Sequence, residues 1–525
     1  VSRDETLRPR AGKVVSVRDV ENAAKNGRAI VVAPDTVITP AARERATELN
    51  VSIRVQRDRG QGRAPMLASV PQSDDLIEPL AAFVVAAATQ PLPEEVLDQV
   101  KLLLTDSLAA GYAGLRCQPL RALVDALAAR RHGERGHLIG LRQKLAPPDA
   151  ALVNAALIHA FGFDAWFERG AVAPVAGPVA TALAVADETR LRDPKALLPA
   201  IAVGVEVGCR VAAAATGGPA LSRSAAIAAL GGAATAGVLL ELDADAMVAA
   251  FGLALSQALY PPDHLTDLGF LAPGFGAQAA VQAARLAAGG VQGIRRVIEG
   301  PAGYAQLIEG GRFDRSRALA GLGASWLLEE VALRLYPVDP AAAIVVEAAV
   351  RLIGGRAPSE RFAQVVVEGS PRVLHPTGSR PEHAVASGAA SSRLPYLVAR
   401  TLRDGWLGLA AIDPAAPIEP EVWDLIDRIE LAVAPDIAPD ALAPVRLVAL
   451  TTDGLLHEST VLTPPGSTKD ETTRLRVLAK LTDCWRWSGQ PRYRRPLRLA
   501  DAVDTLDRAR SLSAFWSAVS PQAAL

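Results

Sequence analysis

From Ala225 to Leu240 the chain carries no charged side chain and consists almost wholly of alanine, glycine and small aliphatic residues. A segment of this kind must be buried. It is too short and too rich in alanine and glycine to cross a bilayer, which takes ~20 mainly apolar residues. Gly231, Gly232 and Gly237 instead predict a buried helix whose neighbours approach closely. Aromatic residues make up only 4% of the chain, so small side chains fill much of the core, and closely packed helices suit that composition.

The same helical signature extends over some 200 residues from Leu76. Pro93, Glu94 and Glu95 open a helix with proline in its first turn and two carboxylates at the positive end of the dipole. Val96, Leu97, Val100, Leu103 and Leu104 then keep one face apolar at the 3.6-residue period. Further helices are predicted over 148–161, 178–188, 194–214, 224–240 and 244–259. After Phe275 the signals mix: 362–367, 429–433 and 445–450 read as strands, and Thr452-Asp453-Gly454 as a hairpin turn into a strand at 455–462. Helices at 341–352 and 391–403 lie between them, giving an antiparallel α+β unit. Helices at 471–485 and 500–517 close the chain.

At 525 residues the chain exceeds one hydrophobic core. Residues 1–57 form an appendage with strands at 28–32 and 51–55 around a helix at 41–49, begun at Thr39-Pro40. The Gly-, Pro- and Ser-rich stretch 58–75 reads as a linker. The expected fold is mainly α: a large all-helical domain at 76–275 completed by 470–525, a smaller α+β domain at 276–469, and the short N-terminal α/β appendage.

Lys and Arg total 55 against 56 Asp and Glu, a net charge of -1, so no global field points to nucleic acid or to a membrane surface. Cys117, Cys209 and Cys484 share no CxxC spacing, which indicates neither a disulfide framework nor a zinc site. No two histidines share ligand-like spacing with a carboxylate, and no glycine-rich phosphate loop is present. The expectation is no metal and no cofactor. The charged start VSRDETLRPRAGK has no apolar core, excludes a secretory signal peptide, and leaves a cytoplasmic location as the expectation.

Several phrases occur in an order and spacing that resemble one family: DSLAAGYAG (106–114), NAALIHAFGFDA (154–165), GVEVGCRVAAA (204–214), GGAATAGVLLELDADAM (231–247), IEGPAGY (298–304), LYPVDP (335–340), SSRLPYLVARTLRDG (391–405) and TPPG (463–466). Together they resemble the MmgE/PrpD family of 2-methylcitrate dehydratases and cis-aconitate decarboxylases, with iminodisuccinate epimerase-like members. The resemblance implies a helical domain, a smaller α+β lid, an active site in the cleft between them, and a homodimer. It implies elimination, decarboxylation or epimerisation of small acids, which needs a proton-transfer group at the reacting carbon and cations or donors on the carboxylates.

Matched residue by residue, the family phrase H-x-x-D-F-D-D keeps His159 and Asp164, whereas Gly162 and Ala165 replace the other acids. Ala173 stands where the family has histidine before proline. Ser222, Gly269 and Ala272 fall where histidine, lysine and histidine are expected, and Tyr336 remains from Y-P-C without the cysteine. The candidate catalytic residues are therefore Asp164 and His159. Substrate-binding candidates are Arg223 between Ser222 and Ser224 at a helix entry, Tyr260 and His264 after a helix end, and Tyr336. Asp164 lies among Phe161, Phe163, Trp166 and Phe167, which raises its pKa if it is unpaired. A cap, or a salt bridge to Arg169 or Arg223, is the structural alternative.

Two functions stay open on the sequence. One is a diverged lyase or isomerase acting on a small organic acid with an apolar body. The other is a non-catalytic homologue that binds or scaffolds. An assembly partner acting through residues 1–57 belongs mainly to the second, since VITPAARERATELNVSI resembles terminal segments of some microcompartment-associated proteins.

Overall fold

Glycine facing glycine sets the spacing of the helical core. A Cβ on Gly204 would lie 2.0 Å from Thr235 Oγ1 and 2.5 Å from the Gly231 carbonyl, and one on Gly231 would lie 2.8 Å from the Gly204 carbonyl. The two helices that carry these residues touch backbone to backbone, as the alanine- and glycine-rich sequence predicts.

The computed structural model describes residues 73–129, 135–188, 193–217, 220–258, 269–354, 362–374, 394–413, 416–466, 472–490 and 495–520. Of the N-terminal part it describes 6–7, 14–15, 17–25, 29–32, 37–39, 41–42, 45–46, 49, 51 and 53–55. The chain divides into two compact units, Val1–Pro65 and Met66–Leu525. The first has a parallel sheet of β1 (Thr6–Leu7), β3 (Ala29–Val32) and β5 (Ile53–Val55), a parallel pair of β2 (Val14–Val15) and β4 (Val37–Ile38), and helix α1 (Val17–Lys25). Val15, Val20, Ala23, Ile30, Ala42 and Ala46 form its small core. Thr39 Oγ1 accepts from the Ala42 N–H, the cap expected at Thr39-Pro40. The expected linker at 58–75 lies mostly outside the described residues.

In the second unit, α2 (Ile77–Ala88), α3 (Glu94–Gly114), α4 (Gln118–Ala128), α5 (Pro147–His159), α6 (Ala176–Glu188), α7 (Leu197–Ala214), α8 (Ala220–Leu239), α9 (Ala244–Ala258) and α10 (Ala272–Ala288) pack around α8 and α10. Helix α10 runs straight through position 275, where the sequence signals begin to mix. A polar hairpin, β6 (Gly136–Leu138) with β7 (Leu141–Leu145), was not expected. By length and composition residues 194–214 suffice to cross a membrane, but 89% of that window is buried inside the protein.

Downstream, α11 (Pro340–Leu352) and α12 (Leu394–Asp404) accompany a sheet in the order β11 (Leu456–Val461), β10 (Val445–Thr451), β8 (Phe362–Gly369), β9 (Ile429–Val433). The sheet is mixed rather than antiparallel: β8 pairs with β10 antiparallel and with β9 parallel. Helix α13 (Thr473–Trp487) returns to pack on α3. The last predicted helix is two, α14 (Arg495–Asp504) and α15 (Ser513–Val519), because Ser511 Oγ accepts from the Ser513 N–H and begins a new turn. The architecture is mainly α with a small α+β part.

Candidate active site

Helix α5 ends at His159, and the chain turns through Gly162 at φ +54°. A residue with a side chain rarely adopts that conformation. The turn carries Asp164 back onto His159, whose Nδ1 lies 3.0 Å from Oδ1 and 3.0 Å from Oδ2. Asp164 is fully buried. Burial disfavours its charge, but the His159 ring and then Arg334 more than offset this and hold the carboxyl below its ordinary range. An ionised Asp164 accepts, so Nδ1 carries the proton, and in the neutral form of the ring the lone pair is on Nε2. Neither expected arginine is its partner. Arg169 pairs with Glu330 at 2.6 Å, and Arg223 pairs with Glu309 at 2.7 Å.

Arg334 arrives from the far side of the sequence. Trp166 and Ala332 exchange both backbone hydrogen bonds at 2.8 Å, and the Leu333 N–H donates to the Gly466 carbonyl at 2.9 Å. Gly466 has φ +98°, and a Cβ there would lie 1.8 Å from the Leu333 oxygen, so only glycine permits this contact. Thus fixed, Arg334 lies over the Trp166 ring at 4.5 Å and donates through Nη1 to the Gly162 carbonyl. Its Nε is buried with no hydrogen-bond partner. Among the described residues Arg334 has no ion pair.

Beneath these groups Lys480, on α13, donates to Asp106 Oδ1 at 2.7 Å, to the Phe163 carbonyl at 2.5 Å and to the Arg334 carbonyl at 2.8 Å. It also lies 3.9 Å from the Phe163 ring centre. Asp106, on α3, is fully buried, and its Oδ2 has no partner. Burial pushes its carboxyl up to about 6, against the pull of Lys480 and with the help of the nearby Asp164 charge. Two neighbouring carboxyls therefore differ in proton affinity, one held ionised and one titrating near neutrality.

The remaining candidates lie in other surroundings. Arg223 is buried and donates to both oxygens of Glu309, at 2.9 and 2.7 Å, and to the carbonyls of Gly170 and Gly217. Tyr304 donates to the same Glu309 at 2.5 Å. Ser224 is buried on the same helix, and Ser222 belongs to it by its backbone. The Tyr336 hydroxyl donates to Glu347 at 2.8 Å and accepts from Arg476 at 2.6 Å; burial and then Glu347 raise its pKa, so it keeps its proton. Tyr260 and His264 lie outside the described residues. The three cysteines are free, and no cluster of metal-ligating side chains occurs among the described residues.

Sequence reasoning missed Arg334, Lys480 and Asp106. The signal for Lys480 was available: it shares the apolar stripe of Val477, Leu481, Cys484 and Trp485. A lysine at a core position needs a buried partner.

Residues 78–316 match the MmgE/PrpD N-terminal domain, and residues 336–504 match the MmgE/PrpD C-terminal domain. The chain belongs to the MmgE/PrpD family. A cis-aconitate decarboxylase of Aspergillus terreus is 27% identical over 423 residues, covering 75% of this chain and 86% of that protein. The human cis-aconitate decarboxylase is 27% identical over 371 residues, covering 66% and 74%. A cis-aconitate decarboxylase-like protein of Aspergillus oryzae is 25% identical over 429 residues, covering 76% and 88%. Of the positions expected to hold histidine or lysine in the MmgE/PrpD phrases, Ala173, Gly269 and Ala272 are buried, and the side chain of Ser222 lies outside the described residues.

Proposed function

We propose that this chain is a lyase for a small organic acid with an apolar body, and that His159, Asp164 and Arg334 carry the reaction. The observation behind this reading is the pairing of His159 Nδ1 with both oxygens of a buried, ionised Asp164 beside a cation that has no ion pair of its own among the described residues. Arg334 takes the substrate carboxylate next to the reacting carbon, and Trp166 lies along the apolar body. In a decarboxylation the bond to the departing carboxylate breaks, CO2 leaves, the electron pair remains on the reacting carbon, and the His159 imidazolium, stabilised by Asp164, delivers a proton there and is reprotonated from solvent. Run in the other direction, the neutral ring removes the proton. An isomerase would use the same two steps in sequence.

Relatives named as cis-aconitate decarboxylases support lyase chemistry. Among the described residues Arg334 is the one cation at this site without an ion pair, which favours a substrate with fewer carboxylates than a tricarboxylate. In this reading the α+β part forms a lid over a cleft in a cytoplasmic homodimer. Incubation of the purified protein with unsaturated mono- and dicarboxylic acids in D2O tests the proposal. The expected result is deuterium incorporation next to a carboxylate that disappears in His159→Gln, with cis-aconitate turnover below ~1 per second. No incorporation and no product from any acid would leave a binding or scaffolding protein.

A further inference from the structure

Among the described residues three ion pairs are buried at both side chains, and two of them are saturated. Arg210 donates to Glu206 and to the carbonyls of Ala318, Ala320, Gly321 and Ser325, and the other Glu206 oxygen accepts from the Leu328 N–H. Arg223 uses both oxygens of Glu309. Such pairs clamp loops. The third pair is different, because Asp106 offers Lys480 one oxygen and leaves the other buried without a partner. The remaining donor capacity of Lys480 goes to two backbone carbonyls. One belongs to Phe163, immediately before Asp164, and the other to Arg334 itself.

An ammonium is a compact centre with three donors. Here each donor meets a different stretch of chain: helix α3, the turn after α5, and the segment after the Trp166–Ala332 bridge. We infer that Lys480 is a positioning residue that fixes the spacing between the His159–Asp164 pair and Arg334. The inference rests on the reading of those three residues given above. The Coulomb coupling of Asp106 to both Asp164 and Arg334 agrees with this close grouping. Without the tether, the Phe163 and Arg334 carbonyls lose a shared donor, and the two segments shift independently of one another.

Two variants separate positioning from core stability. Lys480→Gln keeps a donor but cannot span three acceptors. Lys480→Met combined with Asp106→Leu removes both charges, so that no unpaired charge remains buried. Hydrogen exchange is followed over 161–167 and 332–336, with 223–239 as the internal reference, while the His159 imidazole is titrated by NMR. Neither measurement needs a ligand, so an inactive wild type would overturn the proposed lyase without affecting this test. The expected outcome in both variants is ~10-fold faster exchange confined to the two segments and a displaced His159 titration midpoint. Exchange that is unchanged there, or that rises equally in 223–239, overturns the inference. So does an unmoved His159 midpoint. Failure of both variants to fold overturns it as well, by making Lys480 a determinant of the core instead.

Discussion

His159 Nδ1 stands at 3.0 Å from each carboxylate oxygen of Asp164, five residues further along the chain. That local closure helps hold Asp164 ionised and sets the tautomer of the ring. Asp164→Asn keeps the shape and removes the charge, so the ring loses its preferred tautomer. Activity is expected to fall ~10²–10⁴-fold, and stability by about 1.5–3 kcal/mol, the worth of a charge-assisted hydrogen bond. The pH dependence has a definite sign. The folded carboxyl titrates below its ordinary 3.8, so its contribution is intact above that pH and is lost as acid passes through the lower folded value. Urea titrations of wild type and variant at several pH values should therefore converge only in strong acid.

Asp106 has the opposite sign. Its carboxyl titrates at about 6 against an ordinary 3.8, so its contribution is complete below 3.8 and is lost as the pH rises through about 6. Asp106→Asn is neutral throughout. Relative to wild type, its stability should rise between these two pH values and level off above them, whatever constant offset comes from the unpaired Lys480. A flat difference across that window would mean that Asp106 titrates elsewhere.

Arg334→Gln tests the carboxylate site directly. A guanidinium contributes charge-assisted hydrogen bonds worth about 1.5–3 kcal/mol, so acid affinity measured by calorimetry should drop by about 10- to 150-fold. Folding should change little, because among the described residues the side chain makes one hydrogen bond, to a backbone carbonyl, and one ring contact.

Arg223→Met should show the reverse. Its removal leaves Glu309 fully buried and without its cation, which typically costs about 3–5 kcal/mol. Thermal unfolding should register the loss, while acid binding to any surviving folded protein stays at the wild-type level. Weakened binding with an unchanged melt would instead return Arg223 to the substrate.

Much of the fold was legible because its signals are local. The charge-free run became α8, and the β-branched stretch at 429–433 became a strand with the predicted ends. Direction was not legible, since the alternation that marks a strand is the same in parallel and antiparallel pairs, and β8 therefore pairs with β9 in an unexpected sense. The β6–β7 hairpin escaped because Leu141–Leu145 is polar at its centre. In the candidate site, His159 and Asp164 were found because they are close in sequence. Arg334, Lys480 and Asp106 meet them only through long-range contacts; spacing shows at most that Lys480 is buried, not what it meets.

The Lys480–Asp106 bond spans 374 residues, and this separation imposes an order on biosynthesis. At ~5–20 residues per second a ribosome takes roughly 20–75 s to travel from one partner to the other. Throughout that interval α3 holds an acidic side chain on its inner face whose cation has not yet been made. Docking of that face before α13 emerges would bury the carboxyl without its cation and make it take up a proton, so the face closes less tightly until then. The tight closure of α3 thus waits for the last quarter of the chain to be made.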